Sequence, residues 1–222
     1  MKRIGLLVAA AALAAGCGSS SAGHATVWVT RDRGAHVLHT ARVPAGLTAM
    51  QGLARVAEVS TSYGGRYVRS IDGLAEHGRD SWFYYVNGYL ADRGAAEYRL
   101  HDGDVEWWDY RSWTDPGQDP VVAGAFPEPF LHGYGGERRP AVVVALDRAL
   151  GRRLARFVHG RLASRGPPGA NVLEVLPRVR PRLSVRALRS QPGAPVRFVL
   201  DAAFARRLLA EPALVRHRYA VP

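Results

Sequence analysis

The residues able to do chemistry are few and scattered. Eight histidines are present, but His36 and His39 stand three apart on an expected strand and so point to opposite faces. No His-x-His, no His-Glu-x-x-His and no cysteine partner accompanies them, so the usual metal spacings are missing. Asp102-Gly103-Asp104 brings two carboxylates to a tight turn, short of the ligand number a calcium loop needs. Nucleophilic catalysis lacks its parts as well: there is no Gly-x-Ser-x-Gly elbow, and Cys17 is the sole thiol. Glu76, His77 and Asp80 could exchange protons with a substrate, but a solvated loop is the simpler account. Gly133-Tyr134-Gly135-Gly136 lacks the Lys-Ser/Thr that follows a phosphate loop. The richest chemistry is aromatic. Trp82, Tyr84, Tyr89, Trp107, Trp108 and Trp113 could form a stacking surface for a flat ligand or sugar ring, since their faces are apolar and their edges can hydrogen-bond. The same rings could instead be cross-strand core pairs, and Asn87 is a turn former first. The reading is of a non-enzyme whose candidate ligand contacts are Trp82, Tyr84, Asn87, Tyr89, Trp107 and Trp108.

These rings sit on a β-ribbon. Ser81 to Val86 alternates as a strand, and Asn87-Gly88 is the dipeptide that best tolerates the positive φ angles of a type I′ turn. Tyr89-Leu90-Ala91 returns, and Val105 to Tyr110 follows the turn at Asp102-Gly103-Asp104. Two-residue alternation places Trp82, Tyr84 and Val86 on one face and Phe83 and Tyr85 on the other. Both faces are aromatic, so one should meet a helix and the other must meet something else. Upstream, Ala25 to Thr30 and His36 to Val43 read as two strands. Thr48-x-x-Gln51 is a capping box opening a helix to about Val59, and Arg66 to Ile71 is a further strand. The order is ββαβββ.

The run Trp82…Tyr85-Val86-Asn87-Gly88, then Gly94-Ala95-x-x-Tyr98-x-Leu100-x-Asp102-Gly103-Asp104-Val105-x-Trp107, resembles the transcobalamin C-terminal-like domain. The likeness covers roughly residues 25 to 111. It implies a β-grasp-like α+β unit. In animal cobalamin carriers that unit closes over one face of the corrin ring, working with a large helical domain absent from these 222 residues. Cobalamin or another corrinoid is thus a ligand implied by resemblance alone, and no other cofactor is implied. The expected function is that of a non-catalytic ligand-binding domain, an accessory to corrinoid or other small-molecule uptake. The alternative is a structural or protein–protein module of the cell envelope.

The N-terminus reads as an export signal over 1–16. Lys2 and Arg3 precede an apolar run, Ile4 to Ala15, too short to span a bilayer. Leu13-Ala14-Ala15-Gly16-Cys17 resembles a bacterial lipoprotein signal, although Ala14 stands where a large aliphatic residue is usual. Cys17 would carry the lipid, 17–24 would be the tether, and the protein would be anchored to the outer face of the cell membrane. An uncleaved anchor or a plain secretory signal is the alternative. Outside the cell nucleic acid is not an expected partner.

Charge divides the chain. Between Gly18 and Pro120 ten arginines face thirteen acids, whereas from Val121 to Pro222 eighteen arginines face six. The basic half suits an anionic envelope polymer or lipid. The expected organisation is a domain over 25–113, a Pro/Gly-rich linker over 114–139, and an Arg-rich α/β layer domain over 140–222. In that last part an apolar strand at Ala141 to Leu146 precedes a helix capped by Asp147 and running to about Leu162. Strands follow at Asn171 to Leu176, Leu183 to Leu188 and Val196 to Leu200, then a helix capped by Asp201, and Arg216 to Val221 could close the sheet.

Overall fold

A computed structural model describes residues 23–114 and 119–221. The signal expected at 1–16, Cys17 and nearly all of the tether expected at 17–24 lie outside the described residues. β1 (His24–Arg31) and β2 (His36–Pro44) form an antiparallel hairpin. α1 (Ala49–Leu53) opens with the expected capping box, in which Gln51 N–H donates to Thr48 Oγ1 at 3.2 Å and Thr48 N–H to Gln51 Oε1 at 2.9 Å. The helix stops at Leu53 rather than near Val59 and continues as turns through Ala57. Val59-Ser60-Thr61 favour extended backbone and enter a strand that sequence reading missed, β3 (Val59–Ser62). It joins β4 (Tyr67–Ile71) and β5 (Leu74–Ala75) in a separate three-stranded meander.

β6 (Asp80–Val86) and β7 (Tyr89–Leu90) flank the expected hairpin turn, with φ of 50° at Asn87 and 84° at Gly88. β8 (Val105–Ser112) completes a five-stranded sheet in the order β2-β1-β8-β6-β7, its central pair β1 and β8 parallel. This is the β-grasp-like mixed sheet with α1 on one face.

The Pro/Gly-rich stretch expected as a linker or surface loop is buried in much of its described part. Val121, Val122, Ala123, Ala125, Phe126, Phe130 and Tyr134 all lie in the interior, around a short 3-10 turn and α2 (Glu128–Leu131). Its prolines and glycines turn the chain tightly while the apolar residues between them fill space between two sheets. Phe126 and Phe130 each lie 5.3 Å from the Phe198 ring.

β9 (Ala141–Ala145), α3 (Arg148–Phe157), β10 (Arg161–Leu162), β11 (Asn171–Leu176), β12 (Leu183–Ala187), β13 (Val196–Asp201) and α4 (Ala202–Ala210) follow. They build a smaller α/β domain on the sheet β10-β9-β11-β13-β12, parallel except for the edge strand β12. Asp147 and Asp201 cap α3 and α4 as expected, each accepting two backbone N–H donors at 2.9–3.1 Å. α3 ends at Phe157, five residues early, because His159-Gly160 turns the chain into the edge strand β10. One continuous hydrophobic core runs through both domains. No helix among the described residues is long and apolar enough to cross a membrane.

The last residues do not extend the second sheet beyond one bridge between Val221 and Leu183. They cross back to the first sheet, where Tyr219 packs at 5.3 Å from Trp107 and His217 at 4.5 Å from Trp28. Gly34, at φ 80°, lies under this return, and a Cβ there would overlap the His217 carbonyl oxygen. Gly34→Ala combines that overlap with left-handed backbone. It should cost about 2 kcal/mol or more in urea unfolding and red-shift tryptophan emission as Trp28 and Trp107 lose their cover. Unchanged stability and emission would show that the return is not packed as described.

Candidate functional site

The six residues expected to touch a ligand do not form one surface. Trp82, Tyr84 and Trp108 lie on the helix-covered face of the first sheet. Trp82 is buried, with its indole N–H donating to the Leu74 carbonyl at 2.9 Å. Tyr84 is half-buried and stacks on Trp108 with ring centroids 4.8 Å apart, while its hydroxyl donates to the Arg93 carbonyl at 2.7 Å. Trp107 is fully buried on the opposite face. Asn87 and Tyr89 sit at the ribbon tip, also buried. Asn87 donates to Asp104 Oδ1 at 2.7 Å and to the Gly133 carbonyl at 3.0 Å, and accepts the Val105 N–H at 2.8 Å. Those bonds use both amide hydrogens and one acceptor site of its oxygen, and they pin the ribbon tip to β8 and to the Gly133 carbonyl. Trp82, Tyr89, Trp107 and Trp108 are buried and Tyr84 is half-buried, the packing that cross-strand pairing also allowed. Trp113, the other tryptophan named with them, is 53% exposed at the end of β8.

What the alternation could not show is the material on the second face. Trp28, Thr30, Tyr85, Trp107, Asp109 and Arg111 share it, and Val122, Ala125 and Tyr219 cover it. Arg111 donates to the Tyr219 hydroxyl at 3.2 Å and to the Tyr85 hydroxyl at 3.0 Å, and its guanidinium lies 3.9 Å over the Phe83 ring. Asp109 Oδ1 accepts from Thr30 Oγ1 at 2.6 Å and Gly34 N–H at 3.0 Å, and Thr30 Oγ1 in turn accepts the Trp107 indole N–H at 2.8 Å. Burial raises the Asp109 carboxyl above the ordinary range against these bonds. On the helix side Glu106 is enclosed beneath α1. One of its oxygens accepts the Trp108 indole N–H at 2.5 Å while Oε2 has no partner among the described residues, and burial drives its pKa well above the usual value. Acids within a tryptophan-rich strand, three residues apart and so on opposite faces, were the available signal for both.

An open feature lies at the ribbon tip, where the two domains meet. A cleft of about 500 Å3 is lined by Arg93, Tyr134, Glu137, Arg138, Arg139 and the backbone near Gly193. Its geometry is set from both domains. The Tyr98 hydroxyl accepts the Gly135 N–H at 2.9 Å, and the Tyr134 hydroxyl donates to Asp92 at 2.7 Å. Arg93 lies 5.6 Å over the Tyr134 ring and pairs with Asp92 at 3.2 Å. Arg139 donates to the carbonyls of Gly193 and Gly169, and Arg138 to that of His159. Arg138 and Arg139 are thus held by neutral acceptors, and among the described residues neither pairs with a carboxylate. Tyr84 and Tyr89 approach this region from beneath. Burial raises both hydroxyls, Tyr89 to about 12, so they stay protonated near neutral pH. The arrangement can hold an anion. It offers no nucleophile next to a base, and among the described residues no three His, Cys, Asp or Glu gather around one point as a metal site requires. Glu76 accepts the hydroxyls of Tyr67 and Ser81 at an exposed edge.

Buried Glu106 and half-buried His217 make stability pH-dependent with opposite signs. Burial, with Arg216 nearby, holds His217 down to about 4. The unfolded chain therefore takes up this proton first, and stability falls as pH drops from about 6.5 towards 4. Melting temperatures of His217→Gln should be flatter than those of the native chain across that window. Glu106 behaves oppositely: its raised pKa means that stability is lost as pH rises above the ordinary glutamate value. Glu106→Gln, which keeps the acceptor for Trp108, should gain stability over the native chain on going from pH 5 to pH 8. Parallel melting curves over either range would refute the assignment concerned.

Residues 46–112 match a family model described as Domain of unknown function (DUF4430). The match runs from the residues before α1 to the end of β8 and takes in the whole aromatic ribbon. No curated protein matches the chain. A DUF4430 domain, transcobalamin C-terminal-like in kind, is present at residues 46–112.

Proposed function

We propose that this protein is a non-catalytic binding module, exported and lipid-anchored through Cys17 at the outer face of a bacterial membrane. Its ligand is a small anion seated between the DUF4430 domain and the arginine-rich domain. The observation that carries this reading is the cleft where Arg93, Arg138 and Arg139 converge beside the Tyr134 ring. Guanidinium groups present forked donors to carboxylate or phosphate, and a ring edge adds an apolar wall. Ligand capture at a junction of two domains is a common arrangement, because each contributes part of the wall.

The resemblance puts a corrinoid first among candidate ligands, but the residues here do not fit one well. The broad faces of Trp82, Trp107 and Trp108 that would meet a flat macrocycle are covered by this chain's own residues. The remaining cleft is small, and its three arginines outnumber the two acids beside them, Glu137 and the Asp92 that pairs with Arg93. A compact carboxylate or phosphate suits it better.

The test is calorimetric titration of the native chain with citrate, glucose 6-phosphate and cyanocobalamin. We expect saturable binding of at least one of the two anions, weakened about tenfold or more by Arg93→Ala or Arg138→Ala and unchanged by Trp82→Phe. If neither anion binds at millimolar concentration, or binding survives both arginine substitutions, the cleft is not a ligand site. A structural envelope module would then be the better reading.

A further inference from the structure

A second cationic site lies on the far side of the arginine-rich domain. We infer that the cleft formed by Arg178, Arg180, Arg182 and Arg207 binds a phosphate-bearing anion, either a free phosphate compound or a lipid headgroup. It encloses about 510 Å3 and is floored by Val179, Ala203 and Phe204. Two parts of the chain supply the cations, the loop between β11 and β12 and the helix α4. Arg178 and Arg180 come from the loop after β11, Arg182 from the residue before β12, and Arg207 from the second turn of α4.

The decisive feature is the mismatch of charge. Four guanidinium groups face one carboxylate, Asp201. That carboxylate is already committed, accepting the N–H groups of Ala203 at 2.9 Å and Phe204 at 3.1 Å. It thereby satisfies the helix end, so the site depends on the side chains, while the Asp201 N–H donates to the Arg182 carbonyl at 2.8 Å and ties the loop to the start of α4. The neighbouring Arg206 shows the contrast. It points away and pairs with Asp147 at 2.9 Å. Where an acid is within reach, an arginine of this helix uses it. Across the cleft like charges are held together with too little negative charge to balance them, an arrangement that an incoming dianion relieves. Planar guanidinium groups match the tetrahedral oxygens of phosphate through paired N–H donors, and their weak hydration lowers the cost of binding. The side chains are exposed, so the ligand can reach them from solution or from a membrane surface.

Two arms distinguish the sources. Pyrophosphate is titrated into the native chain by calorimetry, and in parallel the chain is sedimented with vesicles of phosphatidylcholine alone or with phosphatidylglycerol added. We expect saturable binding in at least one arm, weakening as salt is raised. Arg180→Ala and Arg207→Ala should each reduce it about tenfold. Arg152→Ala on the outer face of α3 should leave it within about twofold. Pyrophosphate binding alone assigns a free phosphate compound, whereas phosphatidylglycerol-dependent sedimentation alone assigns a headgroup. The inference fails if neither arm shows binding, or if Arg152→Ala weakens it as much as Arg207→Ala does, since that pattern reports only general charge. Melting temperatures of all three variants confirm that each is folded. Binding that survives Arg180→Ala and Arg207→Ala but is lost with Arg138→Ala belongs to the cleft between the domains and overturns this inference, so the two failures are separable.

Discussion

The return of the C-terminal segment over the first sheet is the interaction on which the architecture depends. A sheet with aromatic residues on both faces must bury both. α1 and the three-stranded meander cover one, burying Trp82 and Trp108 beside Leu53, Val68 and Ile71. The other carries Trp28, Tyr85 and Trp107, and it is covered by residues 122–125 and by Tyr219. Rings packed edge to face add geometric selectivity to the burial. The cover is drawn from the end of a chain that has first built a second sheet, so the two domains share one core.

Polar groups beneath this cover set its register. Arg111 bridges Tyr85 on β6 and Tyr219 on the return, so that one buried cation links three separate parts of the chain. Its charge is offset by aromatic faces above it and by Asp109 nearby. It also donates to the Ser112 carbonyl at 3.1 Å, so three neutral acceptors and a ring face meet the guanidinium. Asn87 acts similarly at the tip: one amide connects the hairpin, β8 and the carbonyl of Gly133.

This placement changes where recognition can occur. Rings that would have offered a stacking platform are spent on internal packing, and the exposed chemistry left over is largely arginine. The cleft at the domain junction joins aromatic and cationic walls. The one beside α4 is walled by cations alone over a small apolar floor. The second follows from the α/β layer alone, whereas the first needs Arg93 of the first domain beside Arg138 and Arg139.

Local features were legible in the residues alone. The Asn87-Gly88 turn, the Thr48–Gln51 capping box, the caps at Asp147 and Asp201 and the apolar strand at Ala141 each depend on contacts within a few residues, so spacing sufficed to place them. The mixed sheet and the α/β layer followed from the order of those elements. Alternation likewise showed that both faces of the ribbon needed cover. It could not show what the cover was, because Tyr219 reaches Trp107 across more than a hundred residues. Nor could composition reveal that Val122, Phe126 and Phe130, set among prolines and glycines, fill the space between two sheets. The same limit applies to the sites. Arg93 and Arg139, or Arg178 and Arg207, become neighbours only when separate strands and helices are packed, and proximity of that kind is a property of the tertiary fold.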